Sequence, residues 1–321
     1  MRMLRTTAIL AACLSPAGAQ AQVPAGGTFI TLGTQGGPLS DAKRSQPGNV
    51  LIRGRDAYLI DAGDGTAQQL ARAGIALPRV KAVWLSHLHF DHTGGLSAII
   101  GLRYQTDVLG PLMVYGPPGT RALVAGIVAS MQPAADAGYG LPGERHVNPA
   151  SIVAVTELAD GQTLNVDGMT IRVAQNTHYS FPVGSDPDRR FKSFSYRFDL
   201  PERSIVYTGD TGPSPAVERL ARGADLLVSE MIDVDATVAA VRRNTPDMAP
   251  AAMAGMKRHL SDHHLTPAQV GELAGRAGVK RVVVTHFVAP GATQAQRAGY
   301  VAAINKAYRG PVTIANDLDR F

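Results

Sequence analysis

The sequence predicts an α/β fold built from two related halves. Three observations lead there. Short apolar runs rich in Val, Ile and Leu alternate with amphipathic helical stretches along the chain, as expected for layers of strands and helices. Two of these runs echo each other: Val83-Trp84-Leu85-Ser86-His87 and Val282-Val283-Val284-Thr285-His286 both read strand, hydroxyl residue, histidine. Polar residues gather where strands end, the usual place for a site in an α/β sheet.

Before residue 28 the chain reads differently. Arg2 and Arg5 make a basic start, Thr6 to Leu14 is an apolar stretch too short to span a bilayer, and Ala19-Gln20-Ala21 is a small-x-small cleavage site. The expected organisation is a secretory signal over residues 1–21 and one domain over 22–321, with a periplasmic or secreted product and no stable membrane insertion. Leu10-Ala11-Ala12-Cys13 also resembles a lipoprotein box, which is the alternative. Cys13 is the sole cysteine, so any metal held beyond it is held by nitrogen and oxygen. Composition is ordinary for a globular chain of 321 residues, 45% apolar and 18% charged. The 31 basic residues exceed the 26 acidic ones by 5, and by 3 once Arg2 and Arg5 are removed. No basic block of five or more occurs, so charge gives no support to nucleic acid or a membrane surface as partner. A homo-oligomer stays open.

Residues 22–27 form a small-residue linker, and Thr28 to Gly33 reads as the first strand. After a Gly-, Pro- and Ser-rich loop, Asn49 to Arg53 and Asp56 to Ile60 pattern as a hairpin turning at Gly54-Arg55. Asp61 to Thr66 is a turn, with Thr66 capping a helix over Ala67 to Ala73 that stops at Gly74. That turn lacks the later acidic ligands of a calcium loop. Its carboxylates can instead support metal ligands from behind. Val80 to Leu85 is a buried strand, Leu96 to Tyr104 a helix, Leu112 to Tyr115 a strand and Thr120 to Met131 a helix. Residues 132–150 read as a mobile surface loop, with His146 a surface histidine.

The second half begins with strands at Ser151 to Glu157, Gln162 to Val166 and Met169 to Ala174, the last leading into Asn176-Thr177-His178. Phe194 to Phe198 and Ser204 to Tyr207 follow, and the latter delivers Asp210 on a Gly-flanked turn. A helix over Pro215 to Arg222 precedes the strand Ala224 to Val228, which delivers Ser229-Glu230. Residues 235–262 are helical in composition, broken by Pro246 and Pro250, and read as a lid or as packing helices. Thr266 caps a helix over Pro267 to Ala277 that ends at Gly278. Arg281 to Val284 is a strand ending at Thr285-His286, and a helix over Gln294 to Tyr308 and a strand over Val312 to Ala315 close the chain.

The stretch Ser86 to His92 carries the chemistry. His87 and His89 lie two apart, so in an extended backbone their side chains point the same way and can grip one ion. Asp91 and His92 sit where the chain turns toward a helix and can reach a second ion nearby. Imidazole with carboxylate suits zinc, manganese or iron.

His87-x-His89-x-Asp91-His92 resembles the signature of the metallo-β-lactamase superfamily. The segments Thr31-Leu32-Gly33-Thr34, Asp61 to Thr66, Asn176-Thr177-His178, Tyr207-Thr208-Gly209-Asp210, Ser229-Glu230, His264-Leu265-Thr266-Pro267 and Thr285-His286-Phe287 follow in the order of its RNase Z and arylsulfatase-like branch. The resemblance implies a four-layered αββα sandwich and two Zn2+ ions, with Mn2+ or Fe2+ as alternatives. It implies His87, His89 and His178 on the first ion, and Asp91, His92 and His286 on the second. Asp210 would bridge them, since two dications a few ångström apart need an anion between. A bridging water would then have its pKa brought toward neutrality and serve as nucleophile.

His264 resembles the branch's histidine that holds or protonates the leaving oxygen, oriented by an acid such as Glu230, while Asp91 can also take a proton from the attacking water. His259 and His263 are expected at the surface. Transfer-RNA-processing members of the branch carry a long Gly- and basic-rich arm, and the middle of this chain has none. With the secretory signal, this gives a small-molecule ester as the expected substrate, a phosphodiester or aryl sulfate, and no nucleic acid partner. Lactone or β-lactam hydrolysis at the same site, and a non-catalytic metal-binding protein, are the rivals.

Overall fold

The computed structural model describes residues 27–321 except positions 38, 40, 109, 144 and 145. The expected signal segment and Cys13 lie outside the described residues. Thirteen strands among them form two sheets. The first runs in chain order: β1 (Thr28–Gly33), β2 (Gly48–Arg53), β3 (Asp56–Ala62), β4 (Val80–Trp84), β5 (Leu112–Gly116) and β6 (Val153–Glu157). The second comprises β7 (Thr163–Val166), β8 (Met169–Gln175), β9 (Phe194–Asp199), β10 (Ser204–Tyr207), β11 (Leu226–Ile232), β12 (Val282–Val288) and β13 (Val312–Ile314), again adjacent in chain order.

Each sheet starts as an antiparallel meander and finishes as parallel strands. The switch comes between β3 and β4 in one sheet and between β10 and β11 in the other. Parallel neighbours need a crossover, and helices supply it. In the first half these are α1 (Thr66–Arg72), α2 (Phe90–Thr93), α3 (Leu96–Gln105) and α4 (Thr120–Ala137). Within the second sheet's meander lies a single short turn of helix, α5 (Asp186–Arg190). Its crossovers are α6 (Pro215–Ala221), α7 (Val234–Asn244), α8 (Pro250–Asp262), α9 (Pro267–Ala277) and α10 (Gln294–Ile304).

The period-2 alternation of the strands sorts their side chains into three cores, and these define four layers. Ala82 and Trp84 of β4 meet Ile205 and Tyr207 of β10 in the central core between the sheets. Trp84 stacks on Tyr115 there, with ring centroids 4.1 Å apart. Val83, one residue on, points the other way and packs with Ile99 and Ile100 of α3 and Val124 of α4. On the opposite side Val206 and Leu227 pack against Val270 and Leu273 of α9 and Ile304 of α10. The order is helix, sheet, sheet, helix, the αββα sandwich expected from sequence. The inner strands, such as β3, β11 and β12, are covered on both faces, which explains why they read as nearly continuous apolar runs, whereas β6 and β7 at the sheet edges keep exposed positions. Among the described residues no helix is long and apolar enough to cross a membrane.

Several elements differ from expectation. Gly65, at φ 86°, takes the cap position of α1; Thr66 is its first residue, with Oγ1 donating to Gly63 O. α4 continues through Pro133 to Ala137 and takes in the start of the expected 132–150 loop, because the alanines that follow favour helix. Residues 235–262 form two helices, and α8 buries only Met253 of its own residues. β11 and β12 continue past their expected ends, through Glu230 and His286 respectively.

Candidate metal centre and active site

β4 and the turn after it set the first group of side chains. The Asp61 carboxylate at the end of β3 accepts from Ser86 N at 2.7 Å and from Ser86 Oγ at 2.8 Å. This pins the chain where it leaves the sheet. His87 is fully buried, His89 faces out as the extended residue before α2, and Asp91 and His92 lie on α2.

The second half brings its groups from separate strands. His178 follows β8. Asp210 follows β10, after Gly209 at φ 57°, and a Cβ on Gly209 would lie 2.9 Å from that of Ser86. Glycine is thus required where the two halves touch. Glu230 and His286 owe their aim to a bulge. Ser229 pairs with Val284 and Met231 with Phe287, so Glu230 faces two residues, Thr285 and His286. His286 takes φ 40° there. Such a bulge re-aims side chains within a strand, and nothing in the apolar pattern reports it.

Together these residues form two triads joined by one aspartate. His89 Nδ1 lies 3.1 Å from His87 Nε2 and 3.0 Å from His178 Nε2. Asp91 Oδ2 lies 3.4 Å from both His92 Nε2 and His286 Nε2. Asp210 reaches both groups: Oδ1 is 3.3 Å from His92 Nε2, while Oδ2 is 3.2 Å from His286 Nε2 and 4.0 Å from His178 Nε2. Ligands about 2.0–2.1 Å from a tetrahedral ion stand roughly 3.3 Å from one another, so these spacings fit two metal ions. His92 Nε2 and Asp210 Oδ1 are also buried without a hydrogen-bond partner.

Electrostatics agree. Burial pushes the His87 and His178 imidazoles well below their ordinary pKa, which keeps them in the neutral, ligating form. Burial acts the same way on His92, but Asp210, Asp91 and Asp61 override it and hold its pKa well above the ordinary value. Three carboxylates converge on that point, which favours a positive charge there. Burial would raise the Asp210 carboxyl, yet His286 and His92 hold it well below its usual range.

Hydrogen bonds behind two of these imidazoles fix their tautomers. Asp61 Oδ2 lies 2.8 Å from His92 Nδ1 and accepts from Tyr207 OH at 2.7 Å. A carboxylate only accepts, so His92 Nδ1 carries the proton and Nε2 turns to the site. His178 Nδ1 lies 3.4 Å from the His263 carbonyl, which leaves its Nε2 for the site as well. Asp61 therefore supports the His92 imidazole from behind.

Glu230 and His264 make a separate buried pair. Glu230 Oε2 lies 2.7 Å from His264 Nδ1, and Oε1 accepts from Thr211 N at 2.5 Å. Burial pushes the His264 imidazolium down, but Glu230 overrides it and holds the pKa up at about 9. His264 shares a pocket of about 390 Å3 with His89, Asp91, His178, Asp210 and His286, and Phe90 stands at its rim, 76% exposed. A larger groove beside α3 has Arg103 and Tyr139 on its walls but, among the described residues, no such cluster of metal-binding groups.

The expectation for His259 and His263 is corrected. Both are partly buried, His263 Nδ1 contacts Thr177 O, and His259 lines the pocket. α8 begins at Pro250 and its last turn lies against the pocket, which the spacing of the histidines alone does not reveal. His146 is exposed, as expected.

A family model described as a beta-lactamase superfamily domain matches residues 57–287, the span that holds every residue of the cluster. The chain belongs to the metallo-β-lactamase superfamily. A Ribonuclease Z of Mycobacterium sp. (strain KMS) is 31% identical over 293 residues, 91% of this chain and 94% of that protein. Among solved structures, the metallo-β-lactamase fold protein YhfI of Bacillus subtilis superposes with TM-score 0.64 at 18% identity, covering 92% of this chain and 98% of that one. The short form of human tRNase Z gives 0.62 at 21% identity, covering 92% and 98%. As a member of this superfamily the chain is a metal-dependent hydrolase.

These relatives overturn one expectation from sequence, that nucleic acid has no part as a partner. The curated relative carries a name that states an RNA substrate, and the match spans nearly both chains. The physical reason lies in the site. Net charge and basic blocks report grip on a long phosphate backbone, whereas a metal cluster can engage one scissile phosphate without them.

Proposed function

We propose that this superfamily member is a two-zinc phosphodiesterase, with RNA among its substrates. In this reading His87, His89 and His178 hold one ion, Asp91, His92 and His286 the other, and Asp210 both. The bound ions supply Lewis-acid activation and a water nucleophile at neutral pH. The chain's own contribution rests on one observation, the buried Glu230–His264 pair opening on the same pocket as the cluster. Glu230 holds the His264 imidazole at Nδ1, so its other nitrogen can hold and protonate a leaving oxygen. Asp91, beyond ligation, is suited to take a proton from the attacking water.

Phosphodiesters stand ahead of aryl sulfates because of the Ribonuclease Z relatives. The test is a screen of zinc-loaded protein on RNA, bis(p-nitrophenyl) phosphate, aryl sulfates, lactones and β-lactams. RNA and the phosphodiester should turn over fastest. A lactone or β-lactam opened far faster than any phosphodiester overturns the reading, and bound metal well short of two ions per chain removes the two-zinc part.

We also propose that residues 1–21 direct export, so that the enzyme works outside the cytoplasm. Sequencing of the mature protein should find an N-terminus near Gln22. A lipid-linked Cys13 would favour the lipoprotein alternative, and an intact Met1 in cells removes the export proposal.

A further inference from the structure

The pocket holds a histidine that the two-ion arrangement leaves unused. His259 sits near the end of α8, half-buried, and lines the pocket beside His178 and His264. Its ring centroid is 5.5 Å from that of His178 and 5.7 Å from that of His264, edge-on to the latter at 88°. One ring nitrogen from each of the three lies within 4.8 Å of the others. His259 Nδ1 is 2.9 Å from Ser180 Oγ, on the segment that follows His178. One nitrogen is therefore tethered and the other is left for the pocket. α8 buries little of itself, with Met253 its buried residue, so the Ser180 contact matters for where this ring stands.

Two ligands suit three imidazoles, a metal ion or an anion. A third ion is disfavoured, because His178 Nε2 already faces His89 Nδ1 at 3.0 Å in the first triad. The trio also holds no carboxylate to offset a further dication. An anion fits better. When the Ser180 hydroxyl donates to Nδ1, the neutral imidazole carries its proton on Nε2 and donates into the pocket.

We propose that His259 is a substrate-binding residue that donates a hydrogen bond from Nε2 to a non-bridging oxygen of the bound phosphoryl group, on the His264 side of the pocket. The substrate it selects is a phosphate ester with an unprotected anionic oxygen. The proposal rests on the phosphodiesterase reading, and it differs from the role of His264 because no proton is transferred.

The test uses zinc-loaded full-length protein carrying His259→Ala, His259→Gln or Ser180→Ala. Three readouts are elemental analysis, calorimetric titration with inorganic phosphate, and kinetics on phosphodiesters with good and poor leaving groups. His259→Ala should keep the wild-type metal content, weaken phosphate binding roughly tenfold or more, and raise KM by a similar factor for both leaving groups with little change in kcat. His259→Gln, which keeps a donor, should recover part of the loss, and Ser180→Ala should lose less than His259→Ala. Unchanged phosphate affinity overturns the proposal. So does loss of a metal ion, or a kcat defect that grows with poorer leaving groups. If the wild type cleaves no phosphodiester, the functional reading fails, while the phosphate titration still reports on His259 alone.

Discussion

The two halves of the molecule share one build but deliver their chemistry differently. The first half places His87, His89, Asp91 and His92 in one short stretch after β4, pinned by Asp61. The second half brings His178, Asp210, Glu230, His264 and His286 from different strands and turns, with a bulge and a left-handed glycine to aim them. A contiguous stretch needs only one strand end to be right. A scattered set needs the whole sheet in register, so in this molecule the second half is where site geometry and global folding are one problem. Asp210 tests that view most severely, since it touches both triads. If the proposed two-zinc phosphodiesterase reading holds, Asp210→Ala should release at least one ion and lower phosphodiesterase activity by about 1,000-fold or more. Retention of both ions would show that the halves hold metal independently.

The next largest effect separates the second half's chemistry from its metal binding. His264→Ala should retain both ions while the rate with poor leaving groups falls about 100- to 10,000-fold, and falls less with good ones. Equal loss across leaving groups would assign His264 to positioning rather than proton donation.

Much of this was legible in the sequence, for reasons that follow the same contrast. The spacing of His87, His89, Asp91 and His92 is local, and local spacing survives folding. The strand cores of both sheets were legible because Val83 and Val206 sit in apolar runs that a doubly covered sheet requires. His178, Asp210 and His286 were marked by strand ends and by family resemblance. Lone histidines elsewhere gave no such signal. His259 read as surface because its position depends on how α8 leaves Pro250 and lies over the pocket, and no periodicity encodes that. The bulge at Glu230 and His286 was invisible for the same reason: an uninterrupted apolar strand reads alike with or without an extra residue.

A smaller effect probes the first half. Asp61 carries Ser86, His92 and Tyr207 on one carboxylate. Asp61→Asn keeps the size but no longer offers acceptors alone, so the His92 tautomer is no longer fixed. Zinc affinity should fall by roughly 10- to 100-fold, with the ion on Asp91, His92 and His286 lost first in a chelator titration. An unchanged titration would leave the turn after β3 as scaffold only.

The smallest effect belongs to the buried pair of the second half, measured in metal-free protein. Burial lowers the His264 pKa, but Glu230, with smaller help from Asp210 and Asp91, raises it from 6.5 to about 9. A group whose folded pKa is raised contributes stability in full below its unfolded value and loses it as pH rises through the folded one. The contribution should therefore be complete just below pH 6.5, while Glu230, whose own pKa burial raises, is still ionised, and gone above about 9. Glu230→Gln removes the charge, so its melting temperature should trail the wild type by on the order of a few degrees below pH 6.5. The gap should narrow toward pH 9, because Asp210 and Asp91 keep only the smaller part of the shift, and the loss from the weakened Thr211 contact stays. A gap independent of pH would mean that Glu230 holds His264 as a neutral hydrogen-bond partner, and the imidazole would then lack the proton that the proposed leaving-group role requires.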